Sequence, residues 1–185
     1  MKQIHFATTN EYKIKFANNL LRTHDWECVP GKVNLIEPQS MTQEEISQYK
    51  VLQAYEQLKV PVITMDSGFF ISALKGFPGI YTADFFKSLN NDQILQLMEK
   101  ESDRSAYIQQ TLSINNGEEI KSFTSKSEGV IVQSTEAGEG YAFDAFFKPN
   151  ITGKIMAKMT EGEKSLIWGE AWNKLGDFLN SSSLQ

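Results

Sequence analysis

The chain has 185 residues, of which 41% are hydrophobic and 22% charged, so it can bury the core of one domain. Its net charge of −5 argues against a broad basic face for nucleic acid, because such binding depends on many contacts between Lys or Arg and phosphate. Cys28 is the only cysteine, which fits a reducing compartment. We find no signal-like segment and no run of about 20 apolar residues, so we expect a cytoplasmic protein without a membrane partner.

The predicted elements begin with a strand and a helix that are joined by a polar turn. Residues 2–8 form the strand, and the helix runs from about Lys13 to Leu21. The turn Thr8-Thr9-Asn10 supplies an N-cap, and a strand–turn–helix unit directs backbone N–H groups towards one point. This turn is therefore a natural phosphate site to which Lys13 could contribute, although a solvated lysine in the first turn is the commoner alternative.

A capping box, Thr42-Gln43-Glu44-Glu45, predicts a second helix that ends near Lys59. Lys50 lies on the same stripe of this helix as the apolar residues Ile46 and Ala54. A lysine on such a stripe indicates either a cleft that holds phosphate or a packed stem with its ammonium group in water. Glu45 has a structural alternative too, because it is the reciprocal residue of the capping box.

A short buried strand over residues 62–65 is expected to end at Asp66-Ser67-Gly68. Ligands gather at the carboxyl ends of strands in α/β folds, so Asp66 could hold a hard cation or orient a water molecule. The alternative is an aspartate that begins a turn by bonding its own backbone. A strand over residues 69–74 and a tight loop over 75–79 should follow.

The remaining elements combine helices with a hairpin. We expect a helix over residues 91–100, strands over 105–115, 119–127 and 129–133, and a last helix that begins at the capping box 160–163 and ends near Leu179. Asn116-Gly117 is the predicted hairpin turn. A parallel start combined with an antiparallel middle predicts an α/β fold with a mixed sheet.

Aromatic residues surround one carboxylate between residues 141 and 147. Tyr141 and Phe143 flank Asp144 just after a glycine-rich run. Aromatic faces can stack a nucleobase, and a carboxylate can read the edge of the base. The alternative is a set of core aromatic side chains with Asp144 at a turn.

The order and spacing of four blocks resemble the inosine triphosphate pyrophosphatase family, whose members remove non-standard purine nucleotides. Thr8-Thr9-Asn10-Glu11-Tyr12-Lys13 matches the family's T-x-N-x-x-K opening, and Glu45 with Lys50 matches its glutamate and lysine five positions apart. Residues 66–81 match the D-S-G…A-L-x-G-x-P-G-x-Y run, which is the most specific block. Residues 140–147 are similar to the F-G-Y-D-P-x-F block.

The resemblance implies an elongated mixed sheet with helices in two lobes around a central cleft, formed by one domain over residues 1–185 of a homodimer. It also implies a Mg²⁺-dependent enzyme that hydrolyses a nucleoside triphosphate to a monophosphate and pyrophosphate. The site residues that it implies are Asp66 and Lys13 for catalysis, Glu45 and Asp66 for the metal, and Thr8, Asn10, Lys50, Ser67, Tyr141, Phe143, Asp144, Lys164, Trp168 and Glu170 for the substrate.

The chain departs from the family where a Ser-His-Arg triplet reads the 6-oxo edge of the purine. Trp168-Gly169-Glu170 stands there instead, and Met65 stands where many relatives carry a second acid. Glu170 would accept a hydrogen bond where arginine donates one, which favours a base with an amino group; alternatively, Trp168 packs the last helix and the base is read elsewhere. Hydrolysis of a non-purine nucleotide, and nucleotide binding without turnover, also remain open.

Overall fold

A computed structural model of the protein describes residues 1–40, 42–136 and 142–182. The strands are β1 (Lys2–Phe6), β2 (Trp26–Pro30), β3 (Val62–Ile71), β4 (Pro78–Gly79), β5 (Ser105–Asn115), β6 (Ile120–Ile131) and β7 (Phe147–Pro149). The helices are α1 (Glu11–Leu21), α2 (Gln43–Leu58), α3 (Thr82–Ser88), α4 (Asn91–Leu97) and α5 (Glu161–Ser181). Short 3₁₀ turns cover Arg22–His24, Ser72–Leu74, Ala142–Ala145 and Met156–Lys158.

The strands form one mixed sheet, which confirms the predicted fold class. The order is β2-β1-β3-β5-β6-β7, with β4 beside β3. β1 pairs in parallel with β2 and with β3, whereas β4 runs antiparallel to β3 and β7 runs antiparallel to β6. Within the described residues, no helix is both long and apolar enough to cross a membrane.

The chain divides into two compact units. The first unit comprises Met1–Asp66, Gln110–Ser125 and Gly169–Gln185, and the second comprises Ser67–Gln109 and Lys126–Trp168. In the first unit, the ring of Phe6 meets the edge of the Trp172 ring at a centroid distance of 5.6 Å. In the second unit, fourteen buried residues rich in phenylalanine form the core. Each unit therefore has its own apolar centre, and the assignment of a single domain stays a prediction.

Two strands continue where the sequence suggested that they would end. β3 runs through Asp66 to Ile71, because it pairs with β1 at Ile63 and with β4 at Phe69, and these ladder hydrogen bonds override the turn preference of Asp-Ser-Gly. β6 continues through Gly129, where a Cβ atom would lie 2.4 Å from the Lys148 carbonyl oxygen. This glycine therefore permits the close approach of β7 and does not break the strand.

Other boundaries differ in smaller ways. The predicted strand over residues 69–74 ends at Ile71, α4 stops at Leu97, and the hairpin loop spans four residues, 116–119, instead of two. The sequence did not predict β2, α3 or β7, and the predicted loop over residues 75–79 contains the two-residue strand β4. β2 carries an alternating burial pattern, with Trp26 and Cys28 inside, that could have revealed it. The other two are too short for periodicity to be decisive.

A buried amide holds the edge strand of the first unit. The Cys28 backbone N–H donates to Asn18 Oδ1 at 2.6 Å, and Asn18 Nδ2 donates to the Cys28 carbonyl at 3.2 Å. Asn18 lies on α1 and is 8% exposed. Its carboxamide therefore satisfies the outer donor and acceptor of Cys28, as another strand would.

Replacing Asn18 by alanine should lower the free energy of unfolding by about 1–3 kcal/mol, because it leaves a buried N–H and a buried carbonyl unsatisfied. Urea denaturation followed by circular dichroism measures this change. The matched control is Asn19→Ala, at the exposed neighbour on the same helix, which should change stability by less than about 0.5 kcal/mol. Equal midpoints for the two variants would show that the Asn18 amide does not stabilise the edge strand.

Candidate active site

Lys50 brings together charged groups from separate parts of the first unit. Its ammonium nitrogen lies 2.6 Å from Glu37 Oε1 and 3.4 Å from Asp66 Oδ1, and it also donates to the Met65 carbonyl at 3.5 Å. The side chains of Lys50 and Asp66 are only 12% and 14% exposed, whereas that of Glu37 is 66% exposed. A largely covered lysine is thus neutralised by two carboxylates, one in the sheet and one near solvent.

The parallel pairing of β1 and β3 explains why Asp66 and Lys13 are neighbours. β1 ends at Phe6, opposite Ile63, so Asp66 lies three residues beyond the last β1–β3 pair. The chain that leaves β1 turns into α1, which carries Lys13 in its first turn. Both residues therefore follow the carboxyl end of β1, the edge at which α/β folds collect ligands.

Burial and the neighbouring charges raise the pKa of Asp66 and lower the pKa of Lys13. Burial raises the pKa of Asp66, and the Glu37 carboxylate raises it further, while Lys50 and a hydrogen bond from Gln43 oppose the rise. Burial and the positive charge of Lys50 lower the pKa of Lys13, while Asp66 and Glu37 act against this shift. The lysines and carboxylates therefore interact as one cluster.

The polar turn before α1 is used for capping. Asn10 Oδ1 accepts a hydrogen bond from the Lys13 backbone N–H at 3.2 Å, and Thr8 Oγ1 accepts one from the Asn10 N–H at 3.2 Å. This confirms the predicted N-cap. Roles of Thr8 and Asn10 in phosphate binding stay predictions. The capped N-terminus of α1, which carries Lys13 in its first turn, is nevertheless suited to an anion.

Glu45 is placed differently from Glu37. The Thr42 hydroxyl caps α2 by accepting a hydrogen bond from the Glu45 N–H at 3.3 Å. The Glu45 carboxylate accepts a hydrogen bond from the Ser40 hydroxyl. The Ser40 hydroxyl oxygen in turn accepts one from the Thr42 N–H at 3.3 Å. Ser40 thus stands between the two members of the predicted capping box. Glu45 is exposed, and its role as a metal ligand stays a prediction.

Glu37 and Gln43 were not predicted as residues of the cluster. Glu37 lies in an irregular segment between β2 and α2, where no periodicity marks a side chain as inward or outward. Gln43 is 2% exposed and hydrogen-bonds Asp66, although its position inside the capping box suggested only a helix start. The nearest signal for Glu37 was its charge shortly before the helix that carries Lys50.

The donor set fits a hard cation that is shared with a phosphorylated substrate. Among the described residues, no group of three or more His, Cys, Asp or Glu side chains could hold a metal ion alone. Mg²⁺, however, is commonly bound by one or two carboxylates together with substrate phosphates and water. Asp66 and Glu37, which meet at Lys50, supply such carboxylates.

The second unit contains a buried ion pair beside stacked aromatic rings. Lys164 Nζ lies 3.1 Å from Asp144 Oδ2, and the two side chains are 9% and 3% exposed. Phe143 stacks on Phe69 at 5.2 Å with an interplanar angle of 5° and belongs to the core cluster, as the packing alternative expected. Tyr141 lies outside the described residues, and Ser67 is half-buried in β3.

The two residues that replace the ends of the family triplet have different surroundings. Trp168 is half-buried and packs against the core cluster of the second unit. Glu170 belongs to the first unit, is 59% exposed and pairs with Lys174 at 2.6 Å on the surface of α5. The packing agrees with the structural alternative for Trp168, and the roles of both residues in base recognition stay predictions.

Comparison with known proteins agrees with this fold. The sequence model of the Ham1 family matches residues 4–178. A dITP/XTP pyrophosphatase of Hyperthermus butylicus is 33% identical over 159 residues, covering 86% of this chain and 84% of the relative. The dITP/XTP pyrophosphatase of Saccharolobus solfataricus is also 33% identical, over 181 residues, covering 97% of this chain and 94% of the relative.

Solved structures of Ham1 proteins show the same fold. The Ham1 protein of Staphylococcus aureus superimposes with a TM-score of 0.83 at 27% identity, covering 97% of this chain and 98% of that chain. A HAM1 protein from Coxiella burnetii, at 24% identity and a TM-score of 0.87, shares the fold over 98% of this chain and 100% of its own. The relatives named dITP/XTP pyrophosphatase are nucleotide hydrolases, and the solved structures share the mixed α/β fold. The chain belongs to the Ham1 family and is an enzyme of the nucleoside triphosphate pyrophosphatase class.

Opposite substitutions at Lys50 and Glu37 should move the pKa of Asp66 in opposite directions. Lys50→Met removes the positive charge that lowers this pKa, so the pKa should rise, whereas Glu37→Gln removes a negative charge that raises it, so the pKa should fall. Titration of the aspartate side-chain carboxyl carbons by NMR measures both changes. Lys59→Met, at the exposed C-cap of α2, is the control and should leave Asp66 unchanged. Shifts of the same sign for Lys50→Met and Glu37→Gln would contradict this electrostatic description.

Proposed function

We propose that the protein hydrolyses a nucleoside triphosphate to a nucleoside monophosphate and pyrophosphate in a Mg²⁺-dependent reaction. The observation that carries the proposal is the cluster in which Lys50 meets Asp66 and Glu37, with Lys13 close enough for all three to act on its pKa. Family membership supports the reaction class, and the relatives named dITP/XTP pyrophosphatase suggest a purine triphosphate as substrate.

The charge balance of the cluster explains why a cation is needed. Two lysines face two carboxylates, so the site has almost no net charge of its own. A triphosphate brings several negative charges, which Lys13 and a Lys50 already paired with two carboxylates cannot neutralise. Mg²⁺, when bound by Asp66 and Glu37, with Glu45 as a further predicted ligand, supplies the missing positive charge and polarises the phosphate oxygens.

The residues of the chain then have distinct tasks. A water oxygen forms a bond to the α-phosphorus while the bond from that phosphorus to the bridging oxygen breaks, and pyrophosphate leaves. Asp66, which lies beside Lys50 and is largely covered, accepts the proton from the attacking water. Lys13 and Lys50 stabilise the negative charge that develops on the departing pyrophosphate.

Base recognition belongs to the proposal as well. We propose that the aromatic residues around Phe143, together with Asp144, Lys164 and Trp168, contribute to the base pocket. For Glu170, recognition of an amino group on the base would require its carboxylate to leave the contact with Lys174. A cytoplasmic location and a homodimeric assembly complete the proposal and follow from the sequence and from the family resemblance.

A second candidate function is nucleotide binding without turnover. Met65 favours it, because this residue beside Asp66 offers no second carboxylate for a cation, and its backbone carbonyl is already bonded to Lys50. The retention of Lys13, Lys50, Asp66 and Glu37 in one cluster favours hydrolysis instead. Nucleotide binding with no Mg²⁺-dependent product would establish this alternative.

Incubation with a panel of nucleoside triphosphates that includes dITP and XTP tests the reaction. With Mg²⁺ present, the wild-type protein should release monophosphate and pyrophosphate in equal amounts, resolved by anion-exchange chromatography. Asp66→Asn should lower the rate by about 10²–10⁴-fold, because no carboxylate then accepts the proton of the attacking water. EDTA should abolish product formation in the wild-type protein.

The control for this experiment is Asp84→Asn, at an exposed aspartate that pairs with Lys87 on α3. This variant should retain the wild-type rate. Release of diphosphate and orthophosphate would exclude attack at the α-phosphorus. Unimpaired pyrophosphate release by Asp66→Asn would remove Asp66 from the mechanism.

A further inference from the structure

An extended segment between β2 and α2 lies against the helix that carries Lys50. We call residues 32–40 the strap. They have no regular secondary structure, and Val33 and Leu35 pack against the cluster formed by Val51, Ala54 and Val62. Four side chains of α2 bond to the strap in antiparallel order: Gln57 with Asn34, Gln53 with Ile36, Lys50 with Glu37, and Glu45 with Ser40.

The two glutamines bind the strap backbone through pairs of hydrogen bonds. The Asn34 N–H donates to Gln57 Oε1 at 3.1 Å, and Gln57 Nε2 donates to the Asn34 carbonyl at 2.8 Å. The Ile36 N–H donates to Gln53 Oε1 at 2.9 Å, and Gln53 Nε2 donates to the Ile36 carbonyl at 2.7 Å. Each carboxamide therefore acts as the peptide group of a neighbouring strand would, with one donor and one acceptor.

The spacing of these contacts fixes a register between helix and strap. Gln53 and Gln57 are one helical turn apart, which is a rise of about 6 Å. Asn34 and Ile36 are two extended residues apart, a distance of about 6.6 Å. Because the two repeats nearly coincide, both carboxamides bond the strap backbone at once in the observed alignment. In that alignment, Glu37 follows the Gln53 contact and lies at Lys50, the next residue on this face of the helix.

We propose that Gln53 and Gln57 are positioning residues that place the Glu37 carboxylate at Lys50 and thereby at the Mg²⁺ site. This inference rests on the proposed function. Apart from the Lys50–Glu37 and Glu45–Ser40 bonds, little else holds the strap at this point, because Ile36 is 73% exposed and the Glu37 side chain is 66% exposed. The packed residues Val33 and Leu35 anchor the strap before Asn34 and Ile36, and the glutamines extend its fixed path to Glu37.

Gln53→Met tests the inference, because methionine keeps the length of the side chain but removes both hydrogen bonds to Ile36. Amide exchange at Ile36, followed by NMR, should become about tenfold faster or more, since a local opening then exposes the N–H. The Mg²⁺ concentration for half-maximal hydrolysis should rise about tenfold, as for other residues that orient a metal ligand. The rate at saturating Mg²⁺ should stay within about twofold of wild type, which a general loss of structure would not allow.

Gln57→Met is the graded variant, because its contact is farther from Glu37. It should accelerate exchange at Asn34 and raise the Mg²⁺ requirement less than Gln53→Met does. Gln48→Met is the matched control on the same helix, since Gln48 bonds to Glu44 and Ser122 and not to the strap. It should leave strap exchange and the Mg²⁺ requirement unchanged.

The outcomes separate this inference from the proposed function. A wild-type protein that releases no pyrophosphate refutes the proposed function, whereas the exchange measurements still report whether the glutamines hold the strap. Hydrolysis with an unchanged Mg²⁺ requirement in Gln53→Met refutes the positioning role alone, even if exchange at Ile36 becomes faster. Unchanged exchange at Ile36 in that variant refutes it as well, because the hydrogen bonds then do not restrain the strap.

Discussion

The contact of one largely covered ammonium group with two carboxylates is the interaction on which the site depends. Lys50 joins α2 to Asp66 in β3 and to Glu37 in the strap, so a helix, a strand and an irregular segment are fixed to one another by a single side chain. Removal of either carboxylate would leave the poorly hydrated ammonium group of Lys50 less well compensated. The loss of stability would be larger than the stabilisation that an exposed ion pair provides. Lys13 is part of the same electrostatic unit, because its pKa responds to all three groups.

A cluster of this kind is a poor device for stability alone, but it is well suited to a polyanionic ligand. Its charges nearly cancel without substrate, and its lysines can exchange carboxylate partners for phosphate oxygens when a cation occupies the carboxylates. Amide side chains bond the backbone at several places in the first unit. Asn18 completes the edge strand of the same unit, and Gln53 and Gln57 hold the strap, in each case by presenting a donor and an acceptor to the backbone.

The elements with clear patterns could be predicted, and so could the residues that they carry. Lys13, Lys50 and Asp66 each stand at a defined place on a helix or strand that the sequence predicted, and the structure places them near one another, although their roles stay predictions. Glu37 could not be found in this way, because side chains of α2 position it and local sequence does not. The continuation of β3 past Asp66 was missed for a related reason, since pairing with β1 and β4 outweighs a local turn preference. Phe143 illustrates a different limit, because composition alone did not predict that it stacks on Phe69 in the core, and its part in a base pocket stays a prediction.

The cluster around Lys50 should bind a triphosphate much more tightly when a divalent cation is present. Isothermal titration calorimetry with an α,β-methylene nucleoside triphosphate, which cannot be cleaved to pyrophosphate, measures this directly. We expect the analogue to bind in the presence of Mg²⁺ and to bind at least about tenfold more weakly without it. Lys50→Met should lose a comparable amount of affinity. Equal affinity with and without Mg²⁺, or full affinity in Lys50→Met, would contradict this role of the cluster around Lys50.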